Sequence, residues 1–198
     1  MKAEQFTEWL KKHNACEDAI EWQEGKDLTI VWQTCHRGDW MLWLAKRAGV
    51  EKRLLVLTAA HCANTVRHLM KDERSRNAVD VAIRYGEGKA TVEELQVAAY
   101  AAYAAYAYAA DAAAAAAAYA YAADAAAAAY YAAYAAAYAY AADAAAAAYY
   151  AAYAAAYADA AAAKQKNRQE TADICKKHIS YELIESLIKQ QHETDRNS

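Results

Sequence analysis

Apolar residues in the first half of the chain recur at intervals of three and four, the spacing of one face of an α-helix. The first predicted helix carries its apolar face on Phe6, Trp9 and Leu10. A second helix is expected to end at Gly25, and the stretch 28–32 is either a short helix or extended. The sequence has no proline and no glycine beyond Gly88, so the breaks between helices are confined to this half.

Further helices are predicted between the turn at residues 35–39 and Gly88. Asp39 is the expected N-cap of a helix that begins at Trp40, and Gly49 is its expected C-terminal stop. A longer helix is predicted over 51–70 and another over 73–85. The predicted core positions of the longer helix are Leu54, Leu57, Cys62, Val66 and Leu69.

The clearest local signal is the capping box formed by Thr91 and Glu94. Residues 99–163 then consist only of alanine, tyrosine and four aspartates. Within this tract the 19 residues of 121–139 are repeated letter for letter in the 19 that follow. Because alanine is the best helix former, we expect residues 89–163 to be helical.

Tyrosines in the repeat form a stripe, since Tyr130, Tyr131, Tyr134 and Tyr138 fall within an arc of about 100° on a helical wheel. A straight helix turns that stripe by roughly 100° per 19-residue copy, which disfavours a simple two-stranded coiled coil. The tract is therefore either one long rod or a folded helical hairpin, and packing or self-association is its expected role. In either arrangement we expect the segment 164–198 not to dock at one fixed place on the N-terminal domain.

Composition divides the sequence into three segments. Residues 1–88 form a helical domain, and the stretch 1–98 holds all five tryptophans and equal numbers of acidic and basic residues, so it is expected to bury a core by itself. The Ala/Tyr tract, 89–163, has four aspartates and no base within 99–163, and the charged segment 164–198 carries seven bases and six acids. No segment is basic enough to bind duplex nucleic acid. The tract is not a membrane span, because its aspartates would be costly in a bilayer.

The four cysteines contain no CxxC pair and are expected to be reduced and buried in a cytoplasmic protein. Two adjacent Cys-His pairs, at 35–36 and 61–62, lack the usual spacing of zinc ligands, so no metal and no cofactor are expected. His61 and His68 lie seven apart and should share one helical face. No nucleophile elbow, P-loop or dinucleotide turn occurs, so we do not expect an enzyme.

Candidate binding residues cluster around the helix predicted to begin at Trp40. Trp40 and Trp43 belong to the core or to a binding surface, and arginines lie at the edge of that surface. The complete set of candidate binding residues is Arg37, Asp39, Trp40, Trp43, Arg47, Tyr130, Tyr134 and Tyr138.

Several strings in the sequence resemble a known family. They are ACEDAIEW at 15–22, RGDWMLWL at 37–44, TAAHCA at 58–63, KQK at 164–166, ADIC at 172–175 and the Ala/Tyr/Asp run. These strings are similar to the immunity protein family described beside bacterial polymorphic toxins and common in tailed phages. The resemblance covers roughly 1–98 and 160–180.

The resemblance implies an all-α, non-enzymatic protein that binds and neutralises a toxin or a host defence protein. Its location would be the bacterial cytosol or a phage-infected host. One alternative is a sponge for a small molecule such as a nucleotide signal, held in a pocket lined by tryptophan and arginine. Another alternative is a structural rod that forms a homo-oligomer through the Ala/Tyr helix.

Overall fold

The computed structural model describes residues 1–115, apart from Val66 and Lys71, and residues 161–196. Every regular element in these ranges is helical, which confirms the predicted all-α fold class. The helices are α1 (Ala3–Lys12), α2 (Glu17–Gln23), α3 (Leu28–Thr34), α4 (Gly38–Ala48), α5 (Lys52–Asn64), a 3-10 helix (Arg67–Leu69), α6 (Glu73–Gly86), α7 (Val92–Ala115), α8 (Ala161–His178) and α9 (Tyr181–Arg196). None of them is both long and apolar enough to cross a bilayer.

Local signals account for several helix ends. Gly25 follows α2 with a φ of 74°, and Gly49 follows α4 with a φ of 93°, as expected of glycines that stop helices. The stretch 28–32 is helical, because Asp27 caps α3 by accepting a hydrogen bond from Ile30 N at 2.9 Å. The capping box is confirmed, since Thr91 N donates to Glu94 Oε2 at 2.7 Å and Glu94 N donates to Thr91 Oγ1 at 3.2 Å.

Two predictions for the N-terminal helices are wrong. Asp39 is not an N-cap, because α4 already begins at Gly38 and the Asp39 carboxylate accepts hydrogen bonds from Arg37 instead. The helix predicted over 51–70 ends at Asn64 and is followed by a short 3-10 helix, with Thr65 Oγ1 donating to the carbonyl of Cys62 at 2.7 Å. A side chain that satisfies a terminal carbonyl is a common way to end a helix.

The buried face of α5 differs from the predicted one. Leu54 and Leu57 are only partly buried, while Cys62 is buried as expected. Val66 and the side chain of Leu69 lie outside what the structure describes. Helix α5 contacts α4, α6 and α8, so it buries a wide face of mostly small residues. The buried apolar residues are Leu55, Val56, Ala59, Ala60, Cys62 and Ala63.

The C-terminal helices dock onto the N-terminal ones, so the expectation of an undocked tail is wrong. Helix α8 packs against α4 and α5, and α9 packs against α3 and α4. Their buried residues belong to the same hydrophobic core as those of the N-terminal helices, so residues 1–98 do not complete the core alone. These C-terminal core residues are Ala172, Cys175, Ile179, Ile184 and Ile188.

Polar contacts also join the two ends of the sequence. Trp9 Nε1 donates to Gln191 Oε1 at 3.2 Å, and Gln191 Nε2 donates to the carbonyl of Arg47 at 2.8 Å.

The helical prediction for residues 116–160 and the choice between rod and hairpin lie outside the described residues, and so do Tyr130, Tyr134 and Tyr138.

Helices α4 and α8 approach closely at Gly38. A β-carbon placed at Gly38 would lie 2.6 Å from the Thr171 side chain, which is closer than atoms can pack. Two buried thiols reinforce the contact, because Cys175 Sγ donates to the Gly38 carbonyl at 3.6 Å and Cys62 Sγ donates to the Thr171 carbonyl at 3.7 Å. The absence of a side chain at Gly38 therefore sets the distance between the two helices.

Candidate ligand-binding cavity

Helices α1 to α4 line a half-open cavity of about 560 Å³. That volume lies in the range of sites for small molecules. Its wall is mostly aromatic and aliphatic, with contributions from each of the four helices and from the turns that follow α1 and α3. Representative apolar wall residues are Phe6, Leu10, Trp22, Trp32, Trp40 and Trp43.

Two tryptophans form the most distinctive part of the wall. The ring centroids of Trp22 and Trp40 are 5.9 Å apart, with the ring planes tilted by 54°. The Lys26 ammonium lies 4.1 Å from the Trp22 ring centroid, and the Arg37 guanidinium carbon lies 4.4 Å from the Trp40 ring centroid. His36 meets the Trp22 ring edge-on, with the centroids 5.9 Å apart. One face of the Trp22 indole is therefore covered by Lys26, and one face of the Trp40 indole by Arg37.

An ion pair joins the wall at the N-terminus of α4. Arg37 Nε donates to Asp39 Oδ1 at 2.8 Å, and Arg37 Nη2 donates to Asp39 Oδ2. The two side chains are 18% and 7% exposed, so solvent screens the pair weakly. The hydrogen bonds that Arg37 donates to the Asp39 carboxylate raise the pKa of the Arg37 guanidinium above its usual range. The pair is neutral overall, and Asp39 occupies two donors of Arg37.

A buried amide supports the wall between α1 and α2. Gln23 is 1% exposed, accepts a hydrogen bond from Thr7 Oγ1 at 2.9 Å and donates through Nε2 to the Lys26 carbonyl at 2.8 Å. Because these bonds satisfy the amide within the protein, Gln23 fixes the relative position of the two helices. Lys26 Nζ in turn donates to the Trp22 carbonyl, which holds the ammonium over the indole.

The structure places four predicted binding residues around this one cavity: Arg37, Asp39, Trp40 and Trp43. Arg47 does not line the cavity. Its guanidinium carbon lies 5.8 Å from the ring centroid of Trp43, which is a wall residue. Sequence reasoning did not place Trp22 or Cys16 at the site, although both line it. Trp22 is brought to Trp40 by the packing of α2, which no local pattern encodes.

The histidines predicted to share a face do not meet. His68 lies beyond the end of α5, whereas His61 stacks on His178 of α8, with ring centroids 4.7 Å apart. Burial, followed by the charge of Lys177, lowers the pKa of His61 below its usual value. Among the described residues, no three histidines, cysteines or carboxylates lie close enough together to hold a metal ion.

Three of the cysteines are buried as expected, but Cys16 is exposed. Cys16 directly precedes α2 and lines the cavity, where neighbouring side chains leave it open to solvent. Burial raises the pKa of the Cys35 thiol to about 11 and that of Cys175 well above its usual value. A thiol reacts as its thiolate, so these buried groups are poor nucleophiles.

We therefore expect one thiol of the native protein to react quickly with a maleimide or with an aromatic disulfide reagent. Cys16→Ser should remove this fast reaction, and the remaining thiols should react only after the protein is unfolded in denaturant. Thiol counting by absorbance, with mass spectrometry to locate the label, measures both. Fast labelling that persists in Cys16→Ser would contradict the burial of the other three cysteines.

The cavity combines a suitable volume, an aromatic wall and a few oriented polar groups, as sites for small ligands do. Comparison of the chain with family models, with curated proteins and with solved structures found no match. The residues around the cavity are therefore the basis of the function proposed below.

Proposed function

We propose that this protein is a non-enzymatic binding protein that holds a small aromatic molecule in the cavity between α1 and α4. The observation that carries the proposal is the Trp22–Trp40 wall on a cavity of about 560 Å³. Aromatic side chains contribute large apolar area and stack on planar ligands. The role corresponds to sequestering a small molecule rather than transforming it.

The chemistry of the wall supports binding rather than catalysis. Among the described residues that line the cavity there is no histidine or lysine to serve as a base. The Asp39 carboxylate is held in its ion pair with Arg37, and the Cys35 thiol has a pKa of about 11. A nucleophilic thiol needs an adjacent base or a lowered pKa, whereas the pKa of the Cys35 thiol is raised.

A fluorescence titration tests this proposal. The uncharged probe N-phenyl-1-naphthylamine should gain fluorescence on binding the protein and should quench tryptophan emission. Ala19 is a partly buried residue of α2 on the cavity wall, so Ala19→Phe should fill the space and weaken probe binding at least about tenfold. The matched control is Ala104→Phe at an exposed position of α7.

The control variant should bind the probe as the wild type does. Circular dichroism of both variants establishes that each is folded before the titrations are compared. If Ala19→Phe bound the probe as tightly as Ala104→Phe, the cavity would not be the binding site and the proposal would be wrong.

A protein partner is a second candidate function. The resemblance to immunity proteins implies neutralisation of a toxin or a host defence protein. The structural observation in favour of a macromolecular contact is the face of α7 that carries Val97 and Tyr100, which are 69% and 74% exposed. Exposed apolar residues three apart on one helical face are typical of association surfaces. The same face would serve a second copy of the chain.

Analytical ultracentrifugation of the wild type and of Val97→Glu tests this second function. A mass above that of the monomer in the wild type, lost in Val97→Glu, would identify self-association through α7. A monomer in both cases would leave this face for a different protein, and coexpression with a candidate toxin would then be the assay.

A further inference from the structure

Two histidines meet where helices α5 and α8 pack against each other. His61 lies in the last turn of α5, and His178 is the last residue of α8. Their rings are nearly parallel, with an angle of 18° between the ring planes and the ring centroids 4.7 Å apart. The two residues lie on either side of the Ala/Tyr tract in the sequence, so the stack forms only when α8 is docked on α5.

Positive charge surrounds the stacked histidines on α8. Lys176 and Lys177 lie beside His178 in the last turn of α8, where they supply the cations that a helix C-terminus favours. Lys177 is exposed, whereas Lys176 Nζ lies 3.7 Å from a carboxylate oxygen of Asp173. A protonated His178 would add a third positive charge to this turn, and a protonated His61 would place a fourth one next to it.

The acidic groups on the helices around the stack are already paired. Glu87 follows α6 and acts on His61 through its charge, and Lys89 Nζ donates to Glu87 Oε2 at 2.7 Å. Helix α4 packs against both α5 and α8, and its single carboxylate, Asp39, is bound by Arg37. In the described ranges neither stacked histidine forms an ion pair with a carboxylate. Positive charge on the two rings would therefore be poorly compensated.

The pKa values of the two histidines agree with this arrangement. Burial, followed by the charge of Lys177, lowers the pKa of His61 below the ordinary value of 6.5. Burial, followed by the charges of His61 and Lys177, lowers the pKa of His178 as well. The folded protein thus favours the neutral rings, whereas histidines of the unfolded chain titrate at the ordinary value. Because the unfolded state binds more protons below that value, the stability is fully present above about pH 6.5 and is lost as the pH falls through the lowered pKa values.

We propose that the stacked histidines make the docking of α8 on α5 sensitive to acid. The neutral rings stack and hold the two helices together, and repulsion between the protonated rings weakens the contact. This regulation goes beyond the proposed binding function and does not depend on the ligand of the cavity. Helix α8 also packs on α4, so acid would loosen the core that the two ends of the sequence share.

Urea unfolding at two pH values tests this inference. The midpoint for the wild type should be lower at about pH 5 than at about pH 7.5, because histidine takes up its proton between these values. The double variant His61→Gln with His178→Gln should show a fall in midpoint smaller by about half, because glutamine does not titrate. Each single variant should also show a smaller fall, since it removes the repulsion between two charged rings. Circular dichroism at about pH 7.5 establishes that each variant is folded.

Hydrogen exchange followed by mass spectrometry locates the effect. After correction for the intrinsic exchange rate, the amides of 52–64 and 161–178 in the wild type should be less protected at about pH 5 than at about pH 7.5. The double variant should keep their protection. Helix α7 packs on α6, so its amides serve as the internal reference and should change little in either protein.

The matched control is His68→Gln, at an exposed position of the 3-10 helix. It should keep the wild-type fall in midpoint. Burial and the charge of Arg37 also lower the pKa of His36, but His36 is present in every variant, so its contribution cancels in the comparison.

Equal falls in midpoint for the double variant and for His68→Gln would overturn the inference. A loss of protection in α5 and α8 that persists in the double variant would overturn it as well. If the double variant is unfolded at about pH 7.5, the single variants decide the question, and a full wild-type fall in both of them would contradict the role of the stack.

Discussion

Ile188→Ala is expected to lower the free energy of unfolding by about 2–5 kcal/mol, the range for removing a large aliphatic side chain from a core. Ile188 lies on α9, is fully buried and belongs to the core that the N-terminal helices share with the C-terminal ones. Domains of this size are stable by about 5–15 kcal/mol, so the loss is a large part of the total. Urea unfolding followed by circular dichroism measures it.

The control for this variant is Gln190→Ala, at an exposed position of the same helix. It should change the free energy of unfolding by no more than about 0.5 kcal/mol. If the two substitutions had equal small effects, α9 would not be docked on the N-terminal helices in solution, and the expectation of an undocked tail would return.

Gly38→Ala is expected to destabilise the protein by about 1–3 kcal/mol, although alanine is a better helix former than glycine. The added methyl group would lie 2.6 Å from the Thr171 side chain, so α4 and α8 would have to move apart. That movement would also lengthen the hydrogen bond from Cys175 Sγ to the Gly38 carbonyl. The midpoint of urea unfolding reports the change.

A double-mutant cycle with Thr171→Gly tests whether contact with the Thr171 side chain causes the destabilisation by Gly38→Ala. Because the nearest atoms to the added methyl group belong to the Thr171 side chain, Gly38→Ala should cost less in the Thr171→Gly background. Equal costs in both backgrounds would show that the clash is not with the Thr171 side chain, and a stabilising Gly38→Ala would show that the helices do not touch at this point.

The sequence predicts where helices begin and end better than it predicts how the helices pack together. Gly49 and the Thr91–Glu94 capping box mark helix ends within a few residues, because each acts on the backbone beside it. The docking of α8 and α9 depends on contacts between residues far apart in the sequence, such as Gly38 with Cys175. The apolar spacing of Ile184 and Ile188 was a usable signal, since residues four apart share a helical face.

The site was predictable to a similar degree. Trp40 and Arg37 are neighbours in one short string, so their proximity could be inferred from the sequence. Trp22 reaches the same place only through the packing of α2, and no pattern in the sequence groups it with Trp40. The predicted N-cap role of Asp39 failed because Arg37, two residues earlier, competes for its carboxylate.

The shared core has a consequence for the synthesis of the chain. A ribosome elongates at about 5–20 residues per second, so the 65 residues of 99–163 take about 3–13 s to translate. Throughout that interval the apolar surfaces of α3, α4 and α5 that α8 and α9 cover in the native fold have no native partner. The nascent protein is then a natural client for ribosome-associated chaperones, and codon usage in the alanine tract would set how long that dependence lasts.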